Sequence, residues 1–227
     1  MNLKNKSILF STLVIIFSLV FSFTCIADQE NVQTNIKQIM DRQQEVKNFK
    51  TDAKLNIKFS GKQNSSFNFT YYYHEPDLVH LETTDFVLLP TEPLQSLQPS
   101  FFKLDNYQLD FKGIEQKDLA HFLLTPHSNK EKFWIEIWIN TVENNIDKAE
   151  VYFTIPTYDK TFSLNVHYQQ INGYSMPATI KGKIAIPAKF SKNGSIKKFH
   201  EGYFDLKLDN YKINQGFSPK IMKKLTG

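Results

Sequence analysis

From Asp28 to Gly61 the hydrophobic pattern changes period once. Val32, Ile36, Ile39, Met40 and Val46 recur at roughly 3.6-residue spacing, and Gln33, Lys37, Asp41, Arg42, Gln44, Glu45 and Lys47 around them are polar. From Phe49 the period is two. Phe49, Ala53, Leu55, Ile57 and Phe59 alternate with Lys50, Asp52, Lys54, Asn56, Lys58 and Ser60, and Thr51 is the one polar residue on the apolar side. The pattern predicts an amphipathic helix that runs straight into a half-buried strand. Such a pair fits a helix packed inside a one-sided antiparallel sheet.

Later segments supply that sheet. Phe67, Phe69, Tyr71 and Tyr73 repeat the alternation after a turn-rich stretch at Gly61 to Asn64. His74-Glu75-Pro76-Asp77 reads as the next turn, and Leu78 to Thr83 as a third strand. Further strands are expected around Tyr107–Phe111, Ala120–Leu124, Phe133–Asn140, Ala149–Ile155 and Phe162–Tyr168. Ile180, Ile184 and Ile186 mark another, framed by Pro177 and Pro187. Phe204, Leu206 and Leu208 form the last long strand. Its apolar parity shifts to Tyr211 and Ile213, which predicts a bulge near Asp209-Asn210. Pro219 to Leu225 closes as a short helix. The total is ten or eleven strands, joined by short connections as in a meander.

One segment breaks the rhythm. Phe86 to Lys103 holds Pro90, Pro93 and Pro99, lacks glycine, and is apolar without strand periodicity through Leu88, Leu89, Leu94, Leu97, Phe101 and Phe102. Its prolines favour short helices or a structured loop over apolar surface. It is either a packed plug completing the core or a movable lid over a cavity.

Composition narrows the setting. Lys4 and Lys6 precede an apolar run from Ile8 to Phe23, and Cys25-Ile26-Ala27 offers small residues for cleavage before Asp28. Residues 1–27 therefore read as a signal peptide and 28–227 as one domain. An uncleaved anchor and a lipid-modified Cys25 are the alternatives. Cys25 is the only cysteine, so a chain beginning at Asp28 has no disulfide and no thiolate metal site. Removing Lys4 and Lys6, with no acid among the first 27 residues, takes the net charge from +4 to +2. That balance gives no reason to expect nucleic acid as a partner.

Catalytic signatures are missing. His74, His80, His121, His127, His167 and His200 show no i, i+4 helical pair, and none joins a carboxylate in a known metal motif. Ser175 lacks the second glycine of a nucleophile elbow, and Asp205 and Asp209 fall on an expected outer face. The expectation is a protein without cofactor, metal or enzymatic role. Aromatic residues remain, at 14% of the chain. Strand aromatics are ordinary core material, but a long one-sided sheet has more apolar area than one helix can cover. The remainder is packed by loops or kept as a cavity. Trp134 and Trp138, opposite Ile135 and Ile137, are a second place to look, either as a partner patch or as residues beneath a loop.

In this order the chain resembles the LolA/LolB-like carriers of bacterial outer-membrane lipoproteins. The resemblance is carried by Val46-Lys47-Asn48-Phe49-Lys50 at the helix-to-strand junction and by Phe69-Thr70-Tyr71-Tyr72-Tyr73-His74-Glu75-Pro76-Asp77 before the proline turn. Ile171-Asn172-Gly173-Tyr174-Ser175-Met176-Pro177 and the closing Asp209-Asn210-Tyr211-Lys212-Ile213-Asn214 extend it. His74 and Glu75 stand where those carriers place an arginine, and Leu78-Val79-His80-Leu81 replaces their aromatic-rich motif.

The resemblance implies an open, unclosed antiparallel β-barrel curled around the N-terminal helix. It also implies a periplasmic, monomeric carrier of lipoprotein acyl chains or another lipid, served by membrane-bound donor and acceptor proteins. An envelope sensor or assembly module holding a protein on the same fold is the alternative. The expected ligand contacts are Phe69 and Tyr71 as cavity wall, with Leu88, Leu89, Leu94, Leu97, Phe101 and Phe102 as lid.

Overall fold

The computed structural model describes residues 32, 34–59, 64–84, 97–116, 118–128, 133–155, 160–190 and 196–226, with 155, 160, 184–190 and 196–200 described through their backbone only. The expected leader 1–27 lies outside these residues. Helix α1 covers residues 34–43, and Val32 is also helical. The described strands are β1 (Asn48–Phe59), β2 (Ser65–His74), β3 (Leu78–Glu82), β4 (Tyr107–Glu115), β5 (Leu119–Pro126), β6 (Phe133–Asn140), β7 (Asn145–Ile155), β8 (Lys160–Ile171), β9 (Tyr174–Phe190) and β10 (Ile196–Ile213). A last helix, α2, spans Pro219–Thr226.

All ten strands form one sheet in the order β3-β2-β1-β10-β9-β8-β7-β6-β5-β4, antiparallel throughout. The register aligns the apolar parity of every strand. One continuous row runs Phe111–Phe122–Ile137–Ala149–Val166–Ile180–Leu206–Leu55–Phe67 across nine strands. Residues from both arms of the sheet, such as Tyr71 on β2 and Phe122 on β5, belong to one buried core with Ile36, Ile39 and Met40 of α1. A flat sheet could not bring those arms to one short helix, so the sheet curls with its apolar face inward. Gly182 makes part of this packing possible, since a Cβ there would lie 2.7 Å from Leu164 Cδ2 and 2.9 Å from Phe204 Cε1.

The helix-to-strand corner is tied to the end of the chain. Asn214, in the left-handed region at φ 55°, accepts at Oδ1 from Lys47 N (2.8 Å) and Asn48 N (3.3 Å), and donates from Nδ2 to Glu45 O (3.0 Å). Asn48 replies by accepting from Asn214 N at its carbonyl and from Gly216 N at Oδ1. The first strand thus pairs with the last, and the corner between α1 and β1 is locked by side chains of both.

The expected bulge is present. Register slips between Lys50–Lys212 and Asp52–Asp209, and Asn210 takes φ 53°. Thr51, the polar residue on the apolar side, is fully buried and donates to Asp209 O at 2.6 Å. The hydroxyl occupies a carbonyl next to the ladder break, where an apolar residue would leave it unmet. The two prolines behave differently from the expected frame. β9 runs through both Pro177 and Pro187, each beside a register shift against its neighbour. A residue without N–H is tolerated inside a sheet where the ladder is already interrupted.

Both sheet edges are blunted. β3 is only five residues long, and β4 carries a register shift at Gly113, whose φ is 135°. At the β3 edge Lys224 of α2 meets Glu82 at 2.8 Å, while Tyr72 donates to the other Glu82 oxygen at 3.0 Å. These features remove templates for strand addition. Replacing Asn214 with glycine keeps the backbone angle and deletes the corner hydrogen bonds. Chemical denaturation should then report a loss of about 1–2 kcal/mol without loss of strand content.

Candidate ligand-binding face

Topology decides which segment can cover the apolar face. β3 and β4 are consecutive in sequence yet form the two opposite edges of the sheet. The chain between Glu82 and Tyr107 must therefore cross from one edge to the other. Its described part consists of two 3-10 turns, Pro99–Phe102 and Leu104–Asn106, short elements of the kind that the prolines predict.

This crossing is fastened on several sides. Gln44, just after α1, donates to Pro99 O at 2.7 Å, and Ser100 Oγ donates to Asp77 in the β2–β3 turn at 2.6 Å. Tyr107 Oη donates to Phe101 O at 2.8 Å, and His127 N to Asn106 O at 3.0 Å. The side chains reach inward. Phe101 stacks on Phe133 at 6.1 Å, and Phe102 meets Tyr168 edge-on at 6.0 Å.

The expected contact residues are distributed as follows. Tyr71 is fully buried and stacks on Phe49 at 5.7 Å, and Phe69 is buried two residues before it on the same face. Leu97 and Phe102 are buried and Phe101 is half-buried, all against the common core. Leu88, Leu89 and Leu94 lie outside the described residues. The structure thus brings Leu97, Phe101 and Phe102 together over the sheet, while Phe69 and Tyr71 sit on the arm formed by β1 and β2. Phe69 also borders an open groove of about 520 Å³, whose rim of Asp52, Lys54, Asn68, Glu82, Lys207 and Asp209 is polar and carries both signs of charge.

Polar groups within the core are few. Apart from Thr51, the buried polar residues among those described are Gln43 and Ser175. The Gln43 amide, oriented to suit both groups, accepts from Ser175 N at 2.9 Å and donates to Ser175 O at 3.2 Å. Ser175 Oγ accepts from Ile146 N at 2.9 Å. Ser175 therefore couples α1 to the β8–β9 hairpin and β7, a structural role for a residue that lacks the nucleophile-elbow motif.

Several tyrosines point the same way. Burial pushes the Tyr73 phenol up to about 12, and it raises Tyr71, Tyr168 and Tyr211 further. These phenols remain neutral across the physiological range. Tyr168 and Tyr211 escaped the sequence reading of the site, because a tyrosine at strand parity looks like any core aromatic.

The two tryptophans stand on the outer face, where side chains of neighbouring strands lie against them. Trp138 is only 6% exposed. It donates to Glu115 at 3.0 Å, stacks on His121 at 4.4 Å, and carries Lys148 Nζ 4.0 Å above its ring. The His121 ring nitrogens lie 3.0 Å from Glu115 and 3.2 Å from Glu136. Trp134 stacks on Tyr152 at 5.0 Å, and Tyr152 donates to Glu150. Side chains from the adjoining strands cover Trp138, while Trp134 stays half-buried with Tyr152 against its ring.

No protein-family model matches the sequence, and no curated protein matches it at a significant level. Solved structures do match. A Vibrio parahaemolyticus domain assigned provisionally to outer membrane lipoprotein sorting is similar with a TM-score of 0.52 at 11% identity, covering 83% of this chain and 95% of that one. A DUF1329 family protein of Desulfovibrio piger aligns at 0.48 and 12% identity, covering 82% and 95%. A LolA superfamily protein of Nitrosomonas europaea aligns at 0.47 and 13%, covering 83% and 96%. The likeness is one of fold.

The packing of the crossing segment predicts a graded response. Phe102→Ala should lower stability by about 3 kcal/mol, because it empties a buried edge-on contact. Phe101→Ala, from a half-buried site, should cost about 1 kcal/mol. Denaturant titration of the two variants measures the difference directly.

Proposed function

We propose that this chain, whose fold is LolA-like, is a periplasmic carrier that takes acyl chains of a lipoprotein or lipid against the inner face of its open barrel. The observation that carries the reading is the crossing segment, which must span the sheet from edge to edge and turns Leu97 and Phe102 toward its apolar face. In this reading residues 1–27 are the export signal and 28–227 the single working domain. The ligand contacts are Phe69 and Tyr71 on the wall and Leu88, Leu89, Leu94, Leu97, Phe101 and Phe102 on the lid.

The chemistry required is burial rather than bond making. Each methylene removed from water contributes about 0.8 kcal/mol, so a chain of roughly fifteen carbons gains on the order of 10 kcal/mol before ordering costs. The crossing segment must yield to admit it, since Leu97 and Phe102 occupy the face at rest. Its 3-10 turns have no side-chain N-caps, and short uncapped turns give way more easily than strands. The carrier acts as a monomer, uses no cofactor, and receives and delivers its cargo through membrane-bound donor and acceptor proteins.

The same tight packing favours a second reading. A face that stays filled would make the barrel a scaffold, and the partner would be an envelope protein held outside it.

Organic extraction of protein purified from an exporting host, followed by mass spectrometry, separates the two. The carrier reading expects bound acyl lipid in stoichiometric amount. It further expects Leu89→Glu to reduce acyl-probe affinity by about tenfold or more while the fold survives. A lipid-free protein that also leaves the probe unmoved sinks the carrier.

A further inference from the structure

Tyr168 continues the inward row of β8 after Phe162, Leu164 and Val166. The residue is partly exposed, but its hydroxyl is buried and meets no donor or acceptor among the described residues. Three other tyrosines of the core and its margin are all engaged. Tyr73 donates to Pro76 O at 3.0 Å, Tyr107 to Phe101 O at 2.8 Å, and Tyr211 to Pro177 O at 2.7 Å. Pro177 stands directly opposite Tyr168 across the β8–β9 pair, so the nearest cross-strand residue already spends its carbonyl on Tyr211.

Phenylalanine would fill the same space without an orphaned group. A buried hydroxyl without a partner is costly, and such a group in a folded protein calls for an explanation. Phe102 lies edge-on over this ring, and Phe102 belongs to the segment assigned above to the lid. Withdrawal of Phe102 would open the space beside this ring to a ligand.

We infer that Tyr168 Oη is the polar anchor of the inner face, donating a hydrogen bond to the carbonyl at the head of an acyl chain. The inference rests on the carrier reading and narrows its ligand class. Burial keeps the phenol protonated, so it acts as a neutral donor. No Lys, Arg, Asp or Glu is among the buried residues described. A phosphate or free carboxylate would enter this environment as an uncompensated charge. An ester or amide carbonyl accepts one bond and brings no charge. Tyr168 therefore favours acyl esters and amides over chains of equal length that lack the carbonyl.

The test is competition of methyl laurate and tetradecane, a chain of equal length without an acceptor, against a fluorescent acyl probe on the delipidated mature chain. Tyr168→Phe should weaken binding of the ester by about tenfold, the scale of one neutral hydrogen bond in a dry site. It should leave the affinity for the alkane unchanged and unfold at a temperature no lower than wild type. Tyr211→Phe, which loses an existing bond to Pro177, should be less stable and keep the wild-type ratio of ester to alkane affinity. An ester-to-alkane ratio that is the same in wild type and Tyr168→Phe overturns the inference. A folded wild type that binds neither compound overturns the carrier reading and this one with it.

Discussion

A ten-stranded sheet with one apolar face has to bury that face, and this constraint governs the rest of the molecule. Helix α1 supplies Val32, Ile36, Ile39 and Met40, a single stripe about three turns long. It can serve all ten strands only if the sheet wraps around it. Pairing of β1 with β10 joins the arm of β1, β2 and β3 to the rest of the sheet and leaves β3 and β4 as its two edges. The described part of the segment joining those edges sets Leu97, Phe101 and Phe102 against the apolar face. Architecture and candidate site are consequences of one area mismatch between helix and sheet.

Most of this architecture was legible because alternation survives in the sequence wherever one face is solvated. The helix-to-strand change at Phe49, the bulge at Asn210 and the closing helix all follow from local pattern. The β9 prolines misled, since a proline looks like a strand boundary until the partner strand supplies a bulge. The cover of Trp134 and Trp138 was invisible for a related reason. Its components, Glu115, His121, Lys148 and Tyr152, are neighbours only across strands. Register also places Lys50 opposite Lys212 and Lys54 opposite Lys207 on the outer face, pairs that a linear reading counts as dispersed charge.

The candidate site was less legible. Apolar side chains of the crossing segment could be read as plug or lid with equal justice, and burial at rest suits both. The informative residues are the polar ones. Thr51, Gln43 and Ser175 are each satisfied by backbone, and each holds an element in place. Tyr168 breaks that rule, and an exception of this kind is where function and stability part company. Its significance depends on hydrogen-bond accounting in three dimensions, which no spacing in the sequence encodes.

The central claim is that the crossing segment moves to admit an acyl chain. Asp77 and Ser100 hold that segment to the β2–β3 turn through a 2.6 Å hydrogen bond, and residues 28–227 contain no cysteine. In the pair Asp77→Cys with Ser100→Cys, an oxidised bridge would be the one disulfide of residues 28–227 and would pin the segment to the β2–β3 turn. Uptake of a fluorescent acyl probe by the oxidised and reduced forms is the most direct measurement. The account predicts that oxidation slows or weakens uptake by about tenfold or more and that reduction restores it. Equal uptake in the two forms would contradict it.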